Sequence, residues 1–527
     1  MVIRIDQKSE EPLYLQIRSQ IIAAIATGEL VPGTALPSVR ALASDLGINL
    51  HTVNKAYAVL RDEGYVLMRG RSGAYIADPC EDDRADRAQI ELAKMEDGLF
   101  ELALRALQEL APRAAARLRG GRTIRCPNCA SEPRRAGREH RARRLVRTGV
   151  QRGCAVVEGF DPTVIMAVTA LLMPVIGAFM AITPYLMRRG EVFTVTVPTS
   201  EQHDPYVVGL KRRYAAIVGS ATAVFTVIGF ASAAMGNAGG VLGALIVGSL
   251  AVTAGGYALM LAFRAKMSAY KAKRGWTADA QESVAVVGEQ PVPRAISLKW
   301  NLLYLPIMAI TFAVGAVGYV HMPDMIPMHM GFDGTVNDWA EKTPLILWMP
   351  VLIQGFMAAC FVFSHWTIAR SKKWAEPGAP ATSALAYGLF ARAQSIYLVA
   401  GGVVIAVAMI AMPLSFMNVI DLGQAAVFIM IAAIVLCVGA MAISLVYGQA
   451  GSRVFKNMQT SDRLHVDDDR YWKFGVFYCN PDDASLFLPE RFGVGWTLNW
   501  ARPAVWAIVA GGFVVTAAFV VAVMLLF

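Results

Sequence analysis

Charge is scarce in this 527-residue chain: Asp, Glu, Lys and Arg make up 17% of it, against 55% for hydrophobic residues. Soluble globular domains carry about 25% charged residues, so the composition excludes a chain that is soluble or disordered throughout. Cysteine is scarce as well. The seven cysteines, at 80, 126, 129, 154, 360, 437 and 479, are odd in number and scattered, which excludes a secreted disulfide framework. The opening MVIRIDQKSEEPLY is charged and has no apolar core, so no signal peptide is read there. A phosphate-cradling glycine loop, H-E-x-x-H and G-x-S-x-G are all missing, so the sequence points to no enzyme and to no cofactor.

The charge that is present is uneven. The chain is +9 overall. Residues 1–79 hold eight basic and eight acidic side chains, whereas 113–152 hold thirteen Arg, two Glu and no Lys.

In PLYLQIRSQIIAAIAT, Leu13, Ile17, Ile21 and Ile25 recur every fourth residue, the mark of an amphipathic helix. LVPGTALPS follows as a connector punctuated by Pro32, Gly33 and Pro37. SVRALASDLG predicts a short helix capped by Ser38, with Val39, Leu42 and Leu46 inward and Gly47 at the turn. NLHTVNKAYAVLRDEG predicts a second helix capped by Asn49, with Val53, Ala56, Tyr57 and Leu60 as its buried stripe. A helix, a tight turn and a second helix make a unit that reads the major groove of DNA. Its polar N-terminal residues Asn49, His51, Thr52, Asn54 and Lys55 suit base edges and phosphates. YVLMRGRSGAYIAD reads as a β-hairpin, with Arg69, Gly70 and Arg71 at its tip as a phosphate- or minor-groove-seeking wing.

The ordered series PLYLQI, GELVPGTALPSVRALASDLGIN, TVNKAYAVLRDEGY and RGRSGAYI resembles the GntR regulators, and INLHTVNKAY their YtrA subfamily. That resemblance implies a winged helix-turn-helix (α+β) over 1–79 and a homodimer on double-stranded, palindromic operator DNA. In it Arg40 contacts the DNA backbone, and Asn49, His51, Thr52 and Asn54 face the DNA. Leu50 departs from the Arg or Pro common at its position.

Residues 80–112 become amphipathic from Ile90, with Leu92, Met95, Leu99, Leu102 and Ala106 three and four apart. They suit either a dimerising seam or a helix packed on its own domain. The Arg-rich junction 113–160 has no sustained apolar period and reads as disordered. Its Cys126 and Cys129 are half a zinc site with no regular second half. Two readings of this stretch stand: a basic arm near DNA or anionic lipid, or GC-rich DNA translated out of frame.

From 161 to 527 the chain predicts an all-α polytopic bundle in a lipid bilayer. Eight apolar runs are long enough to cross, near 163–187, 215–234, 239–263, 302–320, 344–368, 396–416, 423–447 and 503–527. Successive loops carry 5, 0, 7, 1, 4, 0 and 7 Lys plus Arg, which places the odd loops in the cytoplasm and residue 160 outside. A DNA reader belongs in the cytoplasm, and no apolar run lies between it and residue 163. Three arrangements meet this conflict: a first span, with Pro174 and Pro184, that does not cross; a misleading charge bias; or two reading frames joined.

HMPDMIPMHMGFDGTVNDWAEKTP (321–344), through Pro323, Asp324, Ile326, Pro327, His329, Gly334, Trp339 and Lys342, resembles a motif loop of SdpI-like immunity proteins. DDDRYWKFGVFYCNPDDASLFLPERFGVGWTLNWARP (467–503) resembles a second uncharacterised module, aromatic and soluble. His329 reads as a structural loop residue, and Asp467-Asp468-Asp469 as a solvated run. The expectation is a transcriptional repressor of its own operon, joined to a plasma-membrane domain that senses envelope stress or a small-molecule or peptide effector. The alternative is an immunity or transport-type membrane protein joined to a regulator by fusion or frame error.

Overall fold

A computed structural model describes residues 1–68, 73–77, 161–278, 282–287, 292–331, 335–455 and 461–526. The linker 80–112, the Arg-rich junction with Cys126 and Cys129, and the wing tip Arg69-Gly70-Arg71 lie outside the described residues.

The N-terminal domain runs β1 (Val2–Asp6), α1 (Leu13–Ala26), α2 (Val39–Leu46), α3 (Leu50–Asp62), β2 (Val66–Met68) and β3 (Ala74–Ile76). Helix α2 starts where Ser38 Oγ accepts from the Ala41 N–H, and it ends on Gly47 at φ 65°, the left-handed cap that glycine adopts without a Cβ clash. Asn49 Oδ1 accepts from the His51 N–H and starts α3 two residues later. The stripe Val53, Ala56, Tyr57 and Leu60 is buried against Ile17, Ile21, Leu42 and Leu46. The Tyr57 hydroxyl donates to Pro37 O at 3.0 Å and ties α3 to the connector. β2 and β3 pair antiparallel, Val66 opposite Ile76.

Eight helical spans follow: Pro162–Leu186, Pro205–Ala234, Ala238–Arg274, Leu298–His321, Pro344–Arg370, Pro380–Phe416, Leu422–Gly451 and Pro503–Leu526. The first is two helices, α4 (Pro162–Ala170) and α5 (Leu172–Leu186). The break falls where the ring of Pro174 would strike the carbonyl of Ala170. Its 25 residues still reach about 37 Å at ~1.5 Å per residue, enough for a hydrocarbon core of about 30 Å. The second and third spans, α6 (Pro205–Ala234) and α7 (Ala238–Arg274), have 30 and 37 residues. They are therefore about 45 and 55 Å long and overhang the bilayer. The overhangs carry Lys211, Arg212 and Arg213 on α6, and Arg264 through Arg274 on α7.

The odd loops meet at one end. β4 (Glu191–Val192) and β5 (Val195–Thr196) form a hairpin in the first. Phe193 and Thr194 turn it at φ 44° and 64°, a left-handed pair that fits a two-residue hairpin and that side chains tolerate poorly. Burial of Phe193 beside Phe263 and Tyr214 holds it. Thr194 O accepts from Arg264 Nη1 at 2.7 Å and from Arg491 Nη1 at 2.8 Å.

The acidic run expected to be solvated is instead ion-paired. Arg491, fully buried, binds Asp468, Asp469 at 2.5 Å and Glu191 at 3.1 Å. Lys271 Nζ lies 2.9 Å from Asp467 and 2.8 Å from Asp469. Burial alone would raise Asp469, but Arg491 and Lys271 outweigh it and hold the carboxyl below its ordinary range. Lys271 is 198 residues away along the chain and Arg491 is 22, both beyond the reach of local periodicity.

The even loops form the other end. There 321–344, expected as an irregular loop, folds into an antiparallel hairpin of β7 (Met325–Met330) and β8 (Val336–Glu341), irregular at His329. Ile326 is buried with Met322, Ile346 and Phe416, and Lys342 Nζ donates to Met322 O at 2.7 Å. His329 is exposed. The first span begins at this end, since Met166 and Ala170 pack on Ala233 and Val241 beside the α6–α7 turn.

Two outcomes are expected. Arg491→Leu removes the ion pair of Asp468 and one of the two cations beside Glu191 and Asp469, and should cost about 3–5 kcal/mol. It should appear as a lower thermal midpoint in detergent, while Arg470→Leu, at an exposed site, leaves the midpoint in place. Cys479 sits at the odd-loop end, and Cys360 and Cys437 are exposed on the outer faces of spans, where lipid shields them. An impermeant thiol reagent should therefore label Cys479 only after cells are opened; labelling in intact cells would reverse the orientation.

Candidate nucleic-acid interface

The two helix starts lie side by side because the turn between them is two residues long, Gly47 and Ile48, before the Asn49 cap. Ile48 is buried and anchors the turn. Ser38, Arg40, Asn49, His51, Asn54 and Lys55 are all exposed, and Thr52 is half-buried. The side-chain oxygens of Ser38 and Asn49 are engaged as helix caps, which leaves the Asn49 amide nitrogen as a free donor for a base edge. His51, Thr52 and Asn54 follow on the first turn of α3, where the helix macrodipole favours phosphate. Lys55 turns back, with Nζ 3.8 Å from the centre of the Tyr14 ring. An ion pair of Arg18 with Glu63 at 2.7 Å fixes α1 against the far end of α3.

The connector extends the wing sheet. Gly33 N–H donates to Ile76 O, Ile76 N–H to Thr34 O and Leu36 N–H to Ala74 O, so the wing is locked to the segment that leads into Ser38. The structure thus brings Ser38, Arg40 and Asn49 through Lys55 onto one domain with a rigid wing base. The tip residues Arg69, Gly70 and Arg71 lie outside the described residues.

This arrangement has known counterparts. The family model for bacterial regulatory proteins of the gntR family matches residues 13–76. The N-terminal domain is a GntR-family DNA-binding domain. The HTH-type transcriptional regulator Rv1152 of Mycobacterium tuberculosis is 44% identical over 75 residues, 14% of this chain and 62% of that protein. The HTH-type transcriptional repressor YtrA of Bacillus subtilis is 44% identical over 78 residues, 15% of this chain and 59% of that protein. The solved structure of YtrA from Sulfolobus acidocaldarius, a GntR-family transcription factor, is 41% identical, covering 18% of this chain and 95% of that one with a TM-score of 0.14. The chain spans about three fifths of the length of the curated relatives it matches first. Beyond the GntR domain, a domain of unknown function (DUF1648) matches 307–353, and a family of unknown function (DUF5808) matches 481–506.

Two neighbours of the GntR domain carry no local sequence signal. Lys373 Nζ lies 3.2 Å from Asp45, and Lys372, paired with Asp483 at 3.0 Å, abuts Gly47. Burial raises Asp45, and Lys373 offsets this only in part. Both lysines come from the fifth loop, more than 300 residues away.

For base-edge contacts, Thr52→Ala and Asn54→Ala should each weaken operator binding by about 1–3 kcal/mol, and Arg40→Ala, at a backbone contact, should weaken binding to all sequences alike. Fluorescence anisotropy on the DNA upstream of the gene measures this, and a triple variant that binds as tightly as the parent removes α3 from the interface.

Proposed function

We propose that the chain is a transcriptional repressor of its own operon, held at the membrane by an eight-span bundle that relays envelope stress or a membrane-active effector to the DNA reader. The observation that carries this reading is that a whole GntR domain, with Ser38, Arg40, His51, Asn54 and Lys55 exposed, sits at the end of the bundle where the basic loops gather. That end is cytoplasmic by the positive-inside rule, as DNA access requires. The wing residues Arg69, Gly70 and Arg71 complete the proposed interface, and dimerisation would present two such faces to a palindrome.

A second reading has its own observation. Ile76, the last residue of the wing, is at the odd-loop end, and Asp161, which caps the first span, is at the other. The sequence 78–160 contains no apolar run able to cross between them. That favours a membrane protein and a regulator read as one chain through a fusion or frame error. Resequencing the DNA for 113–160 separates the two readings.

The test of repression is a reporter on the gene's own promoter. Deleting the gene should raise expression several-fold, and supplying the chain back should restore repression, whereas supplying it with Asn54→Ala should not. Expression that stays flat on deletion removes the autorepressor reading.

A further inference from the structure

β1 has two edges, and only one is satisfied within the GntR domain. On the inner edge, Gln20 Oε1 accepts from the Arg4 N–H and Gln16 Oε1 from the Asp6 N–H, while their amide nitrogens donate to Arg4 O and Asp6 O. The backbone of residues 1, 3 and 5 faces the other way. There it meets β6 (Glu282–Val286) of the third membrane loop, antiparallel, with Ile3 opposite Ala285 and Ile5 opposite Ser283. The Val287 N–H donates to Met1 O at 2.9 Å, which makes 1–287, 3–285 and 5–283 the hydrogen-bonded pairs of an alternating antiparallel ladder. Ala285 and Val287, each 2% exposed, complete the apolar core around Ile3 and Ile5. Lys8 Nζ reaches Ala278 O, and Lys373 pairs with Asp45. Between the two partners lies a cavity of about 80 Å³, bordered by Gln7, Asp45, Lys372, Tyr478 and Asp483.

We propose that Glu282–Val286 is a docking strand: by strand addition the membrane bundle holds the GntR domain non-covalently at its basic end, and this hold does not depend on the connection 78–160. The partner surface on the domain is the outer edge of β1 with the α2 end at Asp45 and Gly47. It leaves Ser38, Arg40, His51, Asn54 and Lys55 exposed. The proposal rests on reading the apolar helices as membrane spans, and not on any operator.

The test uses the full chain with a site-specific protease sequence inserted between residues 113 and 152. Inside-out membrane vesicles are cleaved and washed in low salt, and the N-terminal fragment left on the vesicles is measured by immunoblot. Most of it should remain. Ala285→Pro removes the N–H that pairs with Ile3 and should lower retention at least tenfold, with unchanged yield and Cys479 labelling showing that the bundle is intact. Lys373→Glu should weaken retention, and Asp45→Lys added to it should restore it. Release of the parent fragment on cleavage, or an Ala285→Pro fragment retained like the parent, overturns the proposal. Because no step uses DNA, these results are independent of whether the operator reading stands.

Discussion

The buried guanidinium of Arg491 is the constraint on which the odd-loop end of this protein depends. It has no exposure to water and so must be matched by charge and hydrogen bonds or not be there at all. Glu191, Asp467, Asp468 and Asp469 face Arg188, Arg264, Lys271 and Arg491, four anions against four cations. The set is neutral as a whole and stitches the first loop, the overhang of α7 and the last loop together. The strands of the first and last loops are two or three residues long, too short to stand as isolated hairpins. What they lack in ladder length is supplied by the ion network and by aromatic contacts such as Trp472 with Tyr478.

The network also reaches the GntR domain, through two short routes. His465, two residues before the acidic run, accepts the Glu282 N–H on its backbone oxygen and lies 3.3 Å from the Glu282 carboxylate, which fixes the start of β6. Asp483 accepts from Lys372 and from the Tyr478 hydroxyl, which fixes the fifth loop beneath Gly47. Gly47 is then doubly constrained. Its φ of 65° suits glycine, and a Cβ there would run into the Lys372 side chain. The turn of a DNA-reading motif has thereby become part of the surface that meets the membrane domain.

How much of this was legible follows the range of each interaction. Val53, Ala56, Tyr57 and Leu60, the Ser38 and Asn49 caps, and the eight apolar spans all rest on contacts within a few residues or on bulk hydropathy, and periodicity reports both. Asp467 to Asp469 read as solvated because Lys271 is remote in sequence, Arg491 lies 22 residues on, beyond any local period, and a carboxylate run carries no mark of its pairing. The hairpin at 325–341 was hidden for another reason: Met325, Pro327 and His329 alternate with Ile326 and Met328 without a clean polar face, and one face is buried only by Ile346 and Phe416 from neighbouring segments. Of the set expected to face DNA, residue types, order and the Asn49 cap could be read, but not that Lys55 folds back over Tyr14.

The unsatisfied edge of β1 changes the weight of the conflict over topology. In a single chain residues 78–160 would have to cross the bilayer whatever else ties the DNA reader to the bundle, and the sixteen arginines of that stretch, without an apolar run, oppose it. An edge strand completed by β6 ties a separate DNA reader to the bundle without any such crossing. It positions the domain from the outside, through backbone pairing that any chain presenting residues 1–6 can make. Two neighbouring proteins then reach this complex at the basic face of the bundle with no segment that has to cross. The signal that orients the bundle, the lysines and arginines of the odd loops, is also the source of Lys373, which pairs with Asp45 of the domain, and of Lys271 and Arg491, which hold the last loop. Orientation and docking are consequently encoded in one set of charges, and a loop that lost them would lose both.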